Sequence, residues 1–244
     1  GEQALLLKDG SITLLDEEWQ RAYGIMIKHA RIENKHIRVP RWVFIALENG
    51  EQITGSNASI IPTDWKTKWM NWQQSETPLY PLPAAIHASL RTYQQKGYEW
   101  MRLLDEIEAG VFLADDMGLG KTLQTICYMA WLAENRKQGN ILIICPASLV
   151  YNWQNEIRKF APRLTTVVYH GSTREESLFE HEGVQIIIST YGTIRSDEEF
   201  ILTQSLVAVI LDESHTIKNP SSQITRLIHQ LNAEKRVVLS GTPV

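Results

Sequence analysis

From residue 84 onward, short apolar runs alternate with stretches of helical periodicity. The runs are Val111–Ala114, Ile141–Cys145, Thr166–Tyr169, Gln185–Ile188, Leu206–Leu211 and Arg236–Leu239. They lack the in–out alternation of a half-exposed strand, which predicts strands buried on both faces, as in a parallel sheet. One helical stripe precedes these runs and two lie between them. Leu90, Tyr93, Gly97, Trp100, Met101 and Leu104 share one face, Leu123, Ile126, Cys127 and Ala130 a second, and Leu149, Trp153, Ile157 and Phe160 a third. Strands alternating with amphipathic helices predict an α/β fold with a central, mostly parallel sheet flanked by helices.

Ahead of this region the pattern changes. Ala4–Leu7 and Ile12–Leu15 flank Asp9-Gly10, a hairpin signal. Trp19, Ala22, Tyr23, Met26, Ile27 and Ala30 follow helical spacing, and Trp42–Leu47 before Asn49-Gly50 reads as a strand and turn. Residues 77–83 hold three prolines, which remove backbone donors and disfavour helix, as a connector would. The expected division is a small mixed α/β extension with its connector over 1–83, then an α/β lobe over 84–244. Five of the eight tryptophans, Trp19, Trp42, Trp65, Trp69 and Trp72, fall before the connector. They suit an aromatic core and a surface docking on the next domain. A stacking surface for a partner or nucleic acid is the other reading.

Composition narrows the class without giving the function. The 244 residues are 43% hydrophobic and 21% charged, ordinary for a globular chain and against dominant disorder. No apolar run approaches the ~18–20 residues of a membrane span, and the N-terminus lacks a signal-peptide pattern. The net charge of −4 provides no global basic field, so any nucleic-acid binding must use local contacts. Two cysteines, Cys127 and Cys145, make neither a disulfide framework nor a zinc site and read as inert core thiols. A reducing intracellular compartment is the expected setting.

The sharpest local feature is Ala114-Asp115-Asp116-Met117-Gly118-Leu119-Gly120-Lys121-Thr122, between a predicted strand and a predicted helix. This is the context of a phosphate-binding loop. Gly118 and Gly120 let the backbone curl and point N–H groups inward. The helix starting near Lys121 aims its positive end at phosphates. Lys121 can reach the β- and γ-phosphates, and the Thr122 hydroxyl can ligate Mg²⁺. The strict pattern has glycine where this chain has Asp115, and a glycine-rich turn with a surface lysine is the bland alternative.

Asp212-Glu213 follows the Leu206–Leu211 run, and ligands of open α/β sheets bind outside the carboxyl ends of strands. Asp212 can hold Mg²⁺ through its water, and Glu213 can orient and deprotonate an attacking water. Alone, the pair equally suits a solvated strand end. Behind a phosphate loop, with strands between, it points to nucleotide chemistry.

At this point the sequence resembles helicase superfamily two, and more narrowly the Swi/Snf-type DNA translocases. Residues 114–122 resemble motif I, and Asp115 fits because that family also has an acidic residue there. Asp212-Glu213-Ser214-His215 resembles motif II, with Ser214 where alanine or glycine is usual. Leu90-Arg91-Thr92-Tyr93-Gln94-Gln95-Lys96-Gly97 resembles the element that reads adenine, with Thr92 where proline is usual. By resemblance Gln94 grips the adenine edge, and Arg91, Met117, Gly118, Leu119 and Gly120 join Lys121 and Thr122 around ATP. Residues 146–153 resemble motif Ia, Ser189-Thr190-Tyr191 a later DNA-contacting motif, and Ser240-Gly241-Thr242-Pro243 motif III. The resemblance thus implies DNA contacts at Ser148, Gly171, Thr190 and Tyr191, and coupling between nucleotide and DNA through His215, Ser240 and Thr242. Ser148 also suits a helix N-cap, and Thr190 and Tyr191 equally suit the simple closing of a strand. Residues 215–219 resemble the family's extension of motif II.

The resemblance covers about residues 84–244 and implies the first RecA-like lobe of an ATP- and Mg²⁺-dependent translocase on double-stranded DNA that displaces bound proteins. Its own second lobe would supply arginine fingers. The extension carries no placeable motif; the resemblance sets it in the region preceding the motor in bacterial members and implies a bacterial, cytoplasmic enzyme on the nucleoid, or a nuclear one in a eukaryote. Two other readings stay open. One is a strand-separating helicase. The other is a non-catalytic module whose tryptophan-rich segment docks a partner such as RNA polymerase.

Overall fold

A computed structural model describes residues 4–6, 12–14, 31–33, 36–38, 64–74, 77–114, 118–136, 139–172, 174–180, 182–213 and 222–241. Contacts divide the chain into two units, residues 1–63 and 64–244. In the first, β1 (Ala4–Leu6) pairs antiparallel with β2 (Ile12–Leu14), the pairing expected around Asp9-Gly10. A second antiparallel pair, β3 (Arg31–Glu33) with β4 (His36–Arg38), carried no turn signal of the kind used for the first. The helix expected over 19–30 and the strand expected over 42–47 lie outside the described residues.

All six apolar runs of the second unit are strands. They are β5 (Val111–Ala114), β6 (Gly139–Cys145), β7 (Thr165–Tyr169), β8 (Val184–Thr190), β9 (Ser205–Leu211) and β10 (Asn232–Ser240). They form one sheet in the order β5-β10-β9-β6-β8-β7, parallel throughout. Helices cross between successive strands, as parallel pairing requires, except that the link from β7 to β8 carries a 3₁₀ turn, Glu176–Phe179, among the described residues, and the expected α/β class is found. In β6, β8 and β9 every residue after the first is buried, which explains their unbroken apolar runs. The edge strand β5 alternates instead, with Phe112 46% exposed, because its sheet face is covered on one side only. On the other side of the sheet, Tyr169, Phe179 and Phe200 pack edge to face within the core, with ring centroids 5.2 Å apart from Tyr169 to Phe179 and from Phe179 to Phe200.

The helix Trp65–Gln74 belongs to the second unit and packs on the helix Thr92–Glu106. Trp65, Trp69, Trp72 and Trp100 form an aromatic ladder with centroids 4.9–5.7 Å apart. The indole N–H of Trp65 donates to the Leu103 carbonyl at 2.8 Å. Three of the early tryptophans therefore bind the helix that follows the connector, while Trp19 and Trp42 lie outside the described residues. Residues 77–91 carry neither helix nor strand. Their path is held by buried Glu99, whose Oε1 accepts the N–H of Leu79 at 2.7 Å and the side chain of Gln95 at 3.0 Å.

The helices Thr92–Glu106 and Lys121–Asn135 meet at Gly97, where a β-carbon would overlap the amide of Gln124. Gln124 is fully buried, and neither of its amide atoms has a hydrogen-bonding partner. Gly97→Ala is therefore expected to destabilise the chain by about 1–3 kcal/mol through overpacking. Chemical denaturation measures this, and an unchanged midpoint would contradict the close approach.

Candidate nucleotide site

Strand register brings the predicted motifs to one place. Ala114 pairs with Ser240, Leu211 with Val238 and with Ile144, Cys145 with Thr190, and Tyr169 with Ser189. All six strands run the same way, so all six carboxyl ends line one edge of the sheet. The glycine loop after β5, the carboxylates after β9, Ser240 at the end of β10, Ser148 after β6, Thr190 at the end of β8 and Gly171 after β7 share that edge.

Gly118 and Gly120 have φ of +86° and +76°, the left-handed region that glycine adopts without a steric penalty. Space around Gly118 is open. Gly120 is the N-cap of the helix Lys121–Asn135, whose first turn holds no acidic side chain to offset its positive end. Lys121 and Thr122 occupy that turn and are half-buried. Gln94 is buried beside the loop: its Oε1 accepts the Arg91 N–H at 3.0 Å and its Nε2 approaches the Leu119 carbonyl at 3.5 Å. The element resembling an adenine reader thus touches the phosphate loop, with Arg91 exposed at its start.

Asp212 is fixed on all sides. Its N–H continues the sheet to the Ile144 carbonyl at 2.9 Å. Its Oδ2 accepts the indole N–H of Trp153 at 2.8 Å, its Oδ1 accepts the Glu213 N–H at 2.9 Å, and its carbonyl accepts the Tyr191 hydroxyl at 2.8 Å. Burial pushes the Asp212 carboxyl above its ordinary value. The hydrogen bonds from Trp153 and the Glu213 N–H pull it down, the Glu213 charge pushes it up, and the Lys121 charge pulls it down. Glu213 has φ of +48°, a conformation that costs a non-glycine residue energy and is found where a site demands it.

Among the described residues no three His, Cys, Asp or Glu side chains gather as a metal cage. Mg²⁺ fits without one, because it is commonly bound by one or two protein oxygens plus substrate phosphates and water. Thr122 and Asp212, on the same edge with Lys121 felt at Asp212, offer that donor set. Asp115, Asp116, Met117, Ser214, His215, residues 216–219, Thr242 and Pro243 lie outside the described residues.

The positions assigned to DNA divide by exposure. Ser148 and Gly171 are exposed, Gly171 with φ of +91°. Thr190 and Tyr191 are buried. The Thr190 hydroxyl accepts the Thr193 N–H at 3.2 Å and caps the short helix Tyr191–Ser196, and the Tyr191 hydroxyl is held by Asp212. The Thr190 side chain closes a strand, and that of Tyr191 braces the backbone of Asp212. Ser148 does not cap a helix: it sits inside a 3₁₀ turn over Ala147–Leu149, and the helix Val150–Phe160 starts from Leu149 with no side-chain cap. Pro146 presets this tight turn, whose carbonyl bonds to the Leu149 N–H at 2.9 Å. Ser240 is buried at the end of β10. Cys127 and Cys145 are buried, and burial pushes both thiols up to about 12, so neither is a ready nucleophile. Among the described residues no helix is long and apolar enough to cross a membrane.

Trp153 is the site residue that sequence reasoning missed. Its place on an apolar helical stripe marked it as core, which it is. The usable signal was chemical, since a buried indole N–H needs an acceptor.

The family described as an SNF2-related domain matches residues 93–244. The chain is 38% identical over 180 residues to the TATA-binding protein-associated factor mot1 of Aspergillus fumigatus, covering 68% of this chain and 10% of that protein. It is 33% identical over 222 residues to an uncharacterized ATP-dependent helicase of Mycoplasma pneumoniae, covering 89% of this chain and 21% of that one. Among solved structures it resembles the Sulfolobus solfataricus SWI2/SNF2 ATPase core in complex with dsDNA, with a TM-score of 0.61 and 37% identity over 68% of this chain and 34% of that chain. The chain spans about a tenth of the length of the first curated relatives and a third of that core.

Proposed function

This chain belongs to the SNF2-related family, and on that premise we propose that it is the ATP-binding lobe of a motor that uses ATP hydrolysis to move on double-stranded DNA and displace proteins bound there. The observation that carries the reading is the common edge: strand register brings a glycine loop with Lys121 and Thr122 beside Asp212-Glu213, with Lys121 acting electrostatically on Asp212.

In this reading Gly118, Leu119 and Gly120 present backbone N–H groups to the phosphates, and Lys121 holds the β- and γ-phosphates. Thr122 and Asp212 hold Mg²⁺, which when bound neutralises charge on the phosphate oxygens. Glu213 orients the attacking water and takes its proton. Arg91, Gln94 and Met117 surround the base. Ser148 and Gly171 face the DNA backbone, and His215, Ser240 and Thr242 link the two sites. A second RecA-like lobe contributes arginines to the transferring phosphate. The Sulfolobus core solved with dsDNA supports duplex DNA as the track.

The test uses the full-length protein that carries this chain. ATP hydrolysis is expected to rise on addition of double-stranded DNA and to be lost in Lys121→Ala, with no release of single strands from a duplex. Strand release would favour a helicase that separates strands, and ATPase activity indifferent to Lys121 would remove the nucleotide site.

A further inference from the structure

Asp212 is gripped by two donors from elements other than its own strand. Trp153 lies on the helix Val150–Phe160, 59 residues away in sequence, and is buried, with its indole N–H on the carboxylate. Tyr191 opens the helix that follows β8, 21 residues away, and its hydroxyl holds the carbonyl of the same residue. Each element has a second, outward face at the same sheet edge. Ser148, Tyr151 and Asn152 are exposed on the first, Tyr151 at 66%, and Gly192, Arg195 and Ser196 are exposed on the second. A nucleic-acid backbone lying along that edge would press on both outer faces, while their inner faces hold Asp212, Trp153 by its carboxylate and Tyr191 by its backbone carbonyl. Both links are short hydrogen bonds, and the Trp153 link is charge-assisted, so a small shift of either element must move Asp212 or break the bond. Among the described residues, the other Asp212 hydrogen bonds, to Ile144 and from the Glu213 N–H, run along the sheet and the chain and do not reach these faces.

We infer that Trp153 and Tyr191 are positioning residues that transmit DNA engagement to the nucleotide site by setting the placement of Asp212. The inference rests on the proposed DNA-dependent ATPase and adds a route to it. The route is distinct from the one expected through the end of β10, because neither residue contacts that strand through these bonds. Tyr191, read from sequence as a DNA contact, acts here through its inner hydroxyl.

Binding linkage tests this without reference to turnover. In the full-length protein the DNA dissociation constant is measured with and without Mg²⁺ and a non-hydrolysable ATP analogue. The ratio of the two is the coupling factor, and by reciprocity it equals the effect of DNA on nucleotide binding. Wild type is expected to show about 5–150-fold coupling. Trp153→Phe, which removes the N–H, and Tyr191→Phe, which removes one oxygen, are each expected to cut that factor by about two- to thirtyfold. Thermal melting is followed in parallel. Residues that merely support the fold would lower the melting temperature and leave the ratio at its wild-type value, and that result overturns the inference. Tyr191→Phe is mild enough to fold, so the test does not hang on the tryptophan variant. A wild-type protein that binds no duplex DNA instead overturns the proposed function itself.

Discussion

Glu213→Gln in the full-length protein is expected to slow ATP turnover by about 10²–10⁴-fold, the range that a positioned general base contributes, while ATP binding persists. Glutamine matches glutamate in size and keeps the hydrogen-bonding reach, so the backbone turn that holds it should survive. That turn is specified by the neighbouring residue: the Glu213 N–H is locked to Asp212 Oδ1 at 2.9 Å while its own φ sits at +48°. This strained residue stands just past the end of β9, at the edge where a nucleotide's γ-phosphate and its attacking water are proposed to lie. What the substitution removes is the ability to accept a proton. Single-turnover hydrolysis alongside binding of a fluorescent ATP analogue separates the two effects. Near-normal turnover would take the base role from Glu213, and loss of binding would mean that the residue holds the loop instead.

A polypeptide of residues 1–244 alone is expected to hydrolyse ATP about 10³–10⁵ times more slowly than the full-length protein, the rate factor associated with an arginine finger. The site supports this directly. The phosphate loop and carboxylates line the rim of an open sheet edge, and one face of a bound nucleotide there would look away from this lobe. Among the described residues, Lys121 is a cation whose field reaches Asp212. Charge developing on the far side of the phosphate needs partners from elsewhere. Steady-state ATPase assays of the two proteins, with and without duplex DNA, measure the gap. Robust DNA-stimulated turnover by the 244-residue polypeptide would show that the lobe carries its own transition-state cations.

The strands were legible because burial on both faces leaves an unmistakable run of apolar residues. Their ends were less so. Residues Asn232–Lys235 look like a loop, yet they extend β10, because backbone pairing with Ser205–Ala208 of β9 carries the ladder through polar positions. Lys235 is nearly buried there, paired with Asp105 at 2.9 Å. That partner lies on a helix far back in the chain, and no local pattern announces it. The phosphate loop and the carboxylate pair were legible for a similar reason to the strands, since each is a short motif whose chemistry is local. What joins them is not local. The bond between Trp153 and Asp212 depends on how a helix after β6 packs against the end of β9, and the short helices Tyr191–Ser196 and Glu198–Thr203 are too brief to show a period. Ser148 shows the reverse error. A serine after a strand suits a cap, but Pro146 tightened the turn and moved the helix start past it.

The uniform direction of the strands also sorts the surface by its freedom to vary. Every described residue given a role in nucleotide or DNA chemistry lies at or near the carboxyl edge. At the opposite edge the strands begin at Val111, Gly139, Thr165, Val184, Ser205 and Asn232. Loops entering there can lengthen, shorten or change composition while the sheet holds the catalytic atoms in place. Related lobes can therefore diverge on that side, acquiring insertions or docking segments suited to different assemblies, while sharing a single engine at the other.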